Sequence, residues 1–462
     1  MRHLNKEILR LALPSILANL TVPLVGLVDI AVAGHLETSA AALIGGISVG
    51  SLMFDMLYWN FGFLRAGTGG LTAQAYGRED WEACLQNLRH AIGAALVSAL
   101  VLIAVQWPFQ KLMFVFVQCS DEVMELALKY FYIRIWAAPA TLCLMVMRGW
   151  FIGMQDTFSS MLTDIMVNGM NIVASILLAL GVPGTSFSGI GFTGIAWGTF
   201  IAQYSGLLTA AIIFTLKYRL LLRHGAASDS TLASATHATL GTVSMREFFS
   251  VNGDLFVRSL CLMAVYLAFT AISARFGDTL LAMCSIMMKL MMIFSYFTDG
   301  FAFAGEALTG RFVGRRDKYA VSKTVKWTFI WSMGIGMLFV FLYAAAGTPM
   351  FRLMTSDNTV IQAAKAYLPW LVIMPLLGCP AFTWDGIYIG ATATKDMRDA
   401  NIGCLIAFFI IWFGGILISR TTGSQLSLDA KVHLLFAAYY AHLIYRSAYQ
   451  TLKYKTAILG RA

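Results

Sequence analysis

The sequence predicts an all-α polytopic membrane protein: twelve transmembrane helices in two six-helix lobes related by a parallel internal repeat. Three observations predict it. Of the 462 residues, 58% are hydrophobic and 12% charged, with a mean hydropathy of +0.72. A soluble domain carries about 25% charged residues. Apolar runs of at least about 18 residues, enough to cross a bilayer, recur along the whole chain. Finally, segments of the first half return in the second at a constant spacing.

The spans fall at roughly 8–34, 43–76, 88–108, 127–152, 159–181, 190–216, 247–275, 280–310, 323–347, 364–391, 399–420 and 428–450. Counted outward from the amino terminus, about 21 Lys/Arg lie on its side of the membrane and about 7 opposite. Lys217, Arg219, Arg223 and Arg246 follow the sixth span, and Arg311, Arg315, Arg316 and Lys318 follow the eighth. This bias places both termini in the cytoplasm. It also explains the net charge of +9 without a nucleic-acid partner. The opening "MRHLNKEILRLALPSILANL" reads as a retained first span, because its apolar run outlasts the usual signal-peptide core. With no transit peptide, a bacterial inner (cytoplasmic) membrane is expected.

"GTGGLTAQAYGRED" from Gly67 and "GEALTGRFVGRRD" from Gly305 carry the repeat. Thr72, Gly77 and Asp80 match Thr309, Gly314 and Asp317 at a shift of roughly 237 residues. The same shift takes Tyr130 to Tyr367, Gly149 to Gly386 and Gly153 to Gly390. Six spans per half make the repeats parallel, which predicts an N-lobe over 1–216 and a C-lobe over 247–462. The Ser/Thr/Ala/Gly-rich stretch between them, 217–246, reads as a cytoplasmic linker. Rocking of one half against the other is the functional implication; a duplicated static scaffold is the bland alternative.

Charges in or near the spans need an account. Asp29, Asp55, Arg65, Arg148, Asp164, Asp254, Arg258, Lys289, Asp299, Glu306 and Asp385 would together cost ~30 kcal/mol in lipid, at ~3 each. They must face the interior, pair, or reach an interface. In "NGDLFVRSL", Asp254 and Arg258 stand four apart and are expected to neutralise one another. Lys289 has candidate partners in Asp254, Asp299, Glu306 and Asp385, and these five with Arg258 form an expected C-lobe polar network. That network could bind an ion, shuttle a proton or only hold helices together.

Asp29 differs, having no basic residue within a turn or two on its own helix. In "TDIMVNGMNIVASILL", Asp164, Asn168, Asn171 and Ser175 recur at i, i+4, i+7 and i+11, one polar stripe on an apolar helix. Asn and Ser hydrogen-bond either protonation state of a carboxylate, so the stripe suits a reversible proton carrier. Asp29, Asp164, Asn168, Asn171 and Ser175 are therefore the candidate coupling residues; a plain helix–helix hydrogen bond is the alternative for Asp29. Pro14 and Pro23 on the same helix each remove a backbone hydrogen bond. A bend sensitive to the protonation of Asp29 would link proton binding to shape.

Other signals lead elsewhere. "GIGFTG", from Gly189, fits the dinucleotide pattern but follows no strand, and reads as a turn. The histidines and the seven scattered cysteines show no metal-ligand or nucleophile spacing, so no metal site, disulfide framework or enzyme is expected. "MCSIMMKLMMIF" is methionine-dense, and Met287, Met288 and Met291 are candidates for an adaptable substrate cavity, with core or lipid-facing filler as the alternative.

"LVDIAVAGHL", the repeated Gly-Thr…Gly-Arg-x-Asp segments, "NGDLFVRSL", "DGFAFAGEAL" and "WDGIYIGATATKDMRDAN" together resemble multidrug and toxic compound extrusion (MATE) transporters, specifically their DNA-damage-inducible (DinF-type) branch. The resemblance implies two six-helix lobes around a V-shaped cavity, and export of amphipathic, often cationic, compounds by H⁺ or Na⁺ antiport. It matches Asp29 to a helix-1 proton-coupling carboxylate, Asn171 to an asparagine of the same pocket and Asp385 to a helix-10 acid implicated in cation binding. Two departures stand out. Ser175 follows the asparagine where relatives often carry Asp, and Lys289 replaces a commonly neutral polar residue. Both favour H⁺ over Na⁺. The expectation is a monomeric, proton-coupled exporter of amphipathic small molecules in contact with membrane lipids and with no other cofactor. A Na⁺-coupled exporter and a lipid-linked precursor flippase stay open as alternatives.

Overall fold

The computed structural model describes residues 2–36, 40–117, 119–182, 184–185, 187–219, 245–355, 357–421 and 426–462. The expected linker, 217–246, lies outside them apart from its ends. Fifteen α-helices and no strands occur among the described residues. They are α1 (Arg2–Gly34), α2 (Ala40–Trp59), α3 (Gly62–Gly77), α4 (Trp81–Ala104), α5 (Gln106–Phe116), α6 (Asp121–Arg134), α7 (Ala138–Gly153) and α8 (Thr157–Leu180). Then come α9 (Phe192–Lys217), α10 (Met245–Ser273), α11 (Asp278–Gly314), α12 (Lys318–Met354), α13 (Asn358–Gly390), α14 (Thr394–Thr421) and α15 (Leu428–Tyr454). Helices are what lipid permits, since each backbone hydrogen bond closes within its own segment.

Among the described residues, eleven helical stretches are long and apolar enough to cross a membrane, one fewer than the twelve expected. The expected span at 428–450 is a helix, α15, but is not one of the eleven. His433, His442, Arg446 and several tyrosines make it more polar than its neighbours.

The chain divides into two compact units, Leu17–Phe249 and a second made of Met1–Ile16 with Ser250–Ala462. The expected N-lobe over 1–216 differs from the first unit at its beginning, because the opening turns of α1 pack with the carboxy-terminal residues. Glu7 accepts from Arg311, Asn5 from Trp331, and Ala12 and Ile16 lie against Gly300. The change of unit, at Ile16/Leu17, falls between Pro14 and Pro23.

Four helix ends share one design. After α3, α7, α11 and α13 the chain turns through a left-handed residue: Glu79 (φ 61°), Gln155 (φ 62°), Arg316 (φ 57°) and Thr392 (φ 49°). At each, the next amide reaches back five residues to a carbonyl, as Asp80 does to Ala75 and Asp317 to Phe312. Asp80 and Asp317 then cap α4 and α12 by accepting from Ala83 and Ala320. Glu79 and Arg316 are separated by the sequence shift of 237, as are Gln155 and Thr392.

The glycines keep the same register. A Cβ on Gly149 would sit 2.1 Å from the Arg65 carbonyl oxygen, and one on Gly386 2.0 Å from that of Ala302. Backbone cannot swing aside as a side-chain tip can. Gly149→Ala is therefore expected to cost about 1–3 kcal/mol or more by overpacking. Gly93→Ala, where nothing lies within 4 Å of the new atom, should leave stability unchanged or slightly raised. Thermal unfolding of the purified variants checks this; equal melting points would refute the close approach.

Candidate functional site

In the first unit, α8 carries the polar stripe and α9 packs tightly upon it. A Cβ on Gly198 would lie 2.5 Å from Ser175 Oγ and 2.6 Å from its amide, so only glycine lets the helices approach this closely. The approach brings Thr199 to Asn171, whose Nδ2 donates to Thr199 Oγ1 at 3.0 Å. Ser175 Oγ lies 3.4 Å from Asn171 Oδ1 and also borders Asp29. Asn168 Nδ2 donates to Thr21 Oγ1 at 2.5 Å, a second tie between α8 and α1.

Asp29 is 6% exposed, and its Oδ1 has no hydrogen-bond partner among the described residues. The cation whose charge acts on it comes from α6. The Arg134 guanidinium donates to Tyr130 Oη at 2.9 Å, lies 4.6 Å from the Phe54 ring centre, and acts through space on Asp29 and Asp55. Reading α1 by itself gave Asp29 neutral surroundings; the fold supplies a positive charge from 105 residues further along the sequence. Tyr130 and Arg134 at i and i+4 were the signal.

Asp164 leaves the group expected for it. It pairs with Arg148 of α7, and so is occupied by a full charge rather than joined to Asp29. The opposite face of α8 is apolar: Leu162, Ile165, Met166, Gly169, Met170 and Val173 line an open depression of about 310 Å³.

At the start of α8, outside the spans, Asp156 gathers four donors. They are Lys217 Nζ at 2.6 Å, Tyr218 Oη at 2.8 Å, Ser159 Oγ at 2.6 Å and the Ser159 amide at 3.3 Å. Burial by itself would raise this carboxyl, but hydrogen bonds from Lys217, Ser159 and Tyr218 outweigh it and hold it below the ordinary carboxylate value. A depressed acid stabilises above its unfolded pKa, and that contribution fades as pH falls through its folded one. Lys217 is half exposed, so its share is at most about 1 kcal/mol. Lys217→Met should flatten the loss of thermal stability on acidification below about pH 4. An unchanged pH profile would count against the assignment.

The second unit rearranges the expected polar network. Asp254 and Arg258 do not neutralise one another. Asp254 instead accepts from Arg398 Nη1 at 2.8 Å and Thr394 Oγ1 at 3.0 Å, while Arg258 pairs with Asp385. Arg446 of α15, 2% exposed, brings a second guanidinium 3.8 Å from the same Asp385 oxygen, and Gln450 Nε2 lies 3.5 Å from the other. His442, Arg446 and Gln450 stand at i, i+4 and i+8, a stripe that was legible in the sequence. Lys289 is exposed and forms no ion pair among the described residues, so none of its four candidate acids holds it. Its neighbours on α11 explain why. Met287, Met288 and Met291 turn inward, packed with Phe294, Phe339 and Tyr343, leaving Lys289 on the outer face. These methionines are therefore core rather than the walls of an open cavity. Glu306 is fully buried and Asp299 half-buried on the same helix.

Residues 148 and 385 are 237 apart, and the residue is Arg at one and Asp at the other. Each sits in an ion pair of its own unit, so the corresponding place carries opposite charge.

These features define a many-span helical membrane protein with buried ionisable sites in both halves, and the MatE family model matches residues 14–177 and 255–412. The chain belongs to this family. It is 34% identical over 396 residues to the DNA damage-inducible protein F of Escherichia coli (strain K12), covering 86% of this chain and 83% of that protein. It is 24% identical over 405 residues to a probable multidrug resistance protein, NorM, of Photorhabdus laumondii, covering 86% and 84%. A solved multidrug resistance MATE family transporter of the MOP superfamily, in an outward-facing conformation, superposes with a TM-score of 0.81 over 98% of this chain and 96% of that one. That pair is 16% identical, so this likeness concerns the fold.

Proposed function

We propose that the protein is a secondary active antiporter that exports amphipathic, cationic organic compounds in exchange for H⁺. It works as a monomer in a bacterial inner membrane, with both termini in the cytoplasm. In this reading α15 completes twelve spans, and the recurrent turns and glycine contacts at a shift of 237 reflect two six-helix lobes that alternate access. The multidrug resistance named for the NorM relative and for the structural neighbour supports drug-like compounds as the class of cargo.

One observation carries the choice of ion. Asp164, Asp254 and Asp385 are each held by arginine, whereas Asp29 is buried without an ion pair among the described residues. That it is bordered by Ser175 and influenced by Arg134 only from a distance supports a role for this carboxylate in taking up and releasing a proton. Asp385, faced by two guanidinium groups, is a poor seat for Na⁺. The apolar face of α8 offers hydrophobic contact to the body of an amphipathic compound.

The test uses everted vesicles in Na⁺-free buffer with an acid-inside pH gradient. Added amphipathic cations should dissipate the gradient. Dissipation only after Na⁺ is supplied would replace H⁺ by Na⁺ as the coupling ion. Silence in both conditions would reject cation export and turn attention to lipid-linked cargo.

A further inference from the structure

We propose that Arg258 and Arg446 form an anion-recognition pair in the second unit, whose ligand is an organic molecule bearing a single carboxylate. The inference is independent of proton coupling at Asp29.

Charge comes first. Two guanidinium groups share one carboxylate, Asp385, which leaves one positive charge without an ion-pair partner of its own among the described residues. Asp254, one turn from Arg258 on α10, is taken by Arg398 and Thr394. Arginine cannot shed its proton to relieve the excess. A buried cation without a counter-charge is expensive, so the site favours one added monovalent anion.

Donors tell the same story. Arg446 has a side chain 2% exposed, yet its Nε and Nη2 have no acceptor among the described residues, and its Nη1 is beyond hydrogen-bond length from Asp385. Arg258 Nε is likewise without an acceptor there. An Nε–Nη2 edge is the face of arginine that grips a planar carboxylate with two parallel bonds. A divalent phosphate would overshoot the single spare charge.

The surroundings suit an organic body. The Phe382 ring lies 5.5 Å from the Arg446 guanidinium carbon, and Tyr439, His442 and Cys404 are titratable groups close enough to feel its charge. None of these carries a fixed charge. Arg258 is the more accessible of the pair, its side chain 18% exposed against 2% for Arg446.

Benzoate is the probe, with benzamidine and benzyl alcohol as a cation and a neutral molecule of the same size. Equilibrium binding of radiolabelled benzoate to the full chain in nanodiscs should be saturable and insensitive to both controls. Arg446→Gln should weaken it roughly 30-fold or more, the loss expected when one partner of a buried charged contact is removed. Should that variant fail to fold, Arg258→Gln, at the more accessible position, should weaken binding in the same direction. Absence of saturable benzoate binding to the wild type, or undiminished binding in the folded variants, would overturn the proposal. Complete displacement by equimolar chloride would overturn it too, since the site would then select a small inorganic ion.

Discussion

Asp29→Asn is expected to reduce proton-driven efflux to about a tenth of the wild-type rate or less, a loss of at least ~1.4 kcal/mol in coupling. Asparagine has the size of aspartate and can still hydrogen-bond Ser175, so the helix contacts around α8 survive. What it loses is the exchangeable proton. Protein level and melting temperature should therefore stay near wild type while gradient dissipation by cations disappears. Asn171→Ala should do less, because it removes one interhelical hydrogen bond, worth about 0.6–1.7 kcal/mol in a membrane. Thr199 then loses its donor, but the carboxylate remains. Wild-type rates in Asp29→Asn vesicles would remove Asp29 from the coupling role.

The largest expected effect on stability comes from Asp385→Asn. It strips the counter-charge from Arg258 and Arg446, whose side chains are 18% and 2% exposed. Breaking a buried pair from one side typically costs about 3–5 kcal/mol. Asp164→Asn makes the same chemical change in the first unit, but its partner Arg148 has a side chain 40% exposed and can find other polar company. That loss should be nearer ~1 kcal/mol. The comparison, read by thermal unfolding of the purified proteins, asks whether burial sets the cost. Equal losses would show that it does not.

Hydropathy made most of the spans legible, because lipid leaves the backbone few alternatives. The polar stripe on α8 was legible for the same reason: three Asn and Ser side chains on an apolar helix are conspicuous, and one of them, Ser175, lies beside Asp29. Partnerships across helices were not. Asp254 and Arg258 stand one turn apart, and local spacing alone joins them. The fold instead brings Arg398 to Asp254 from α14, and Asp385 to Arg258 from α13. Arg134 and Arg446 escaped notice for a related reason. Each shares a helix face with polar neighbours, Tyr130 for Arg134 and His442 and Gln450 for Arg446, but which acid that face meets is set by tertiary structure. The methionines of α11 have the composition of an adaptable wall, yet composition does not say which way a helix faces.

The division of α1 between units has a bearing on biogenesis. Glu7 meets Arg311 across 304 residues of chain and Asn5 meets Trp331 across 326. Residues 2–16 leave the ribosome long before the helices they pack against exist. They must cross into the bilayer with that face uncovered and hold it until the second half arrives. Contacts of such long range close late and slowly. A chain severed between residues 217 and 246 would therefore yield two fragments unequal in kind. The first would carry a helix end with no neighbour, and the second would lack the strip that completes it. Only when both are made together in one membrane would each have its full complement of contacts.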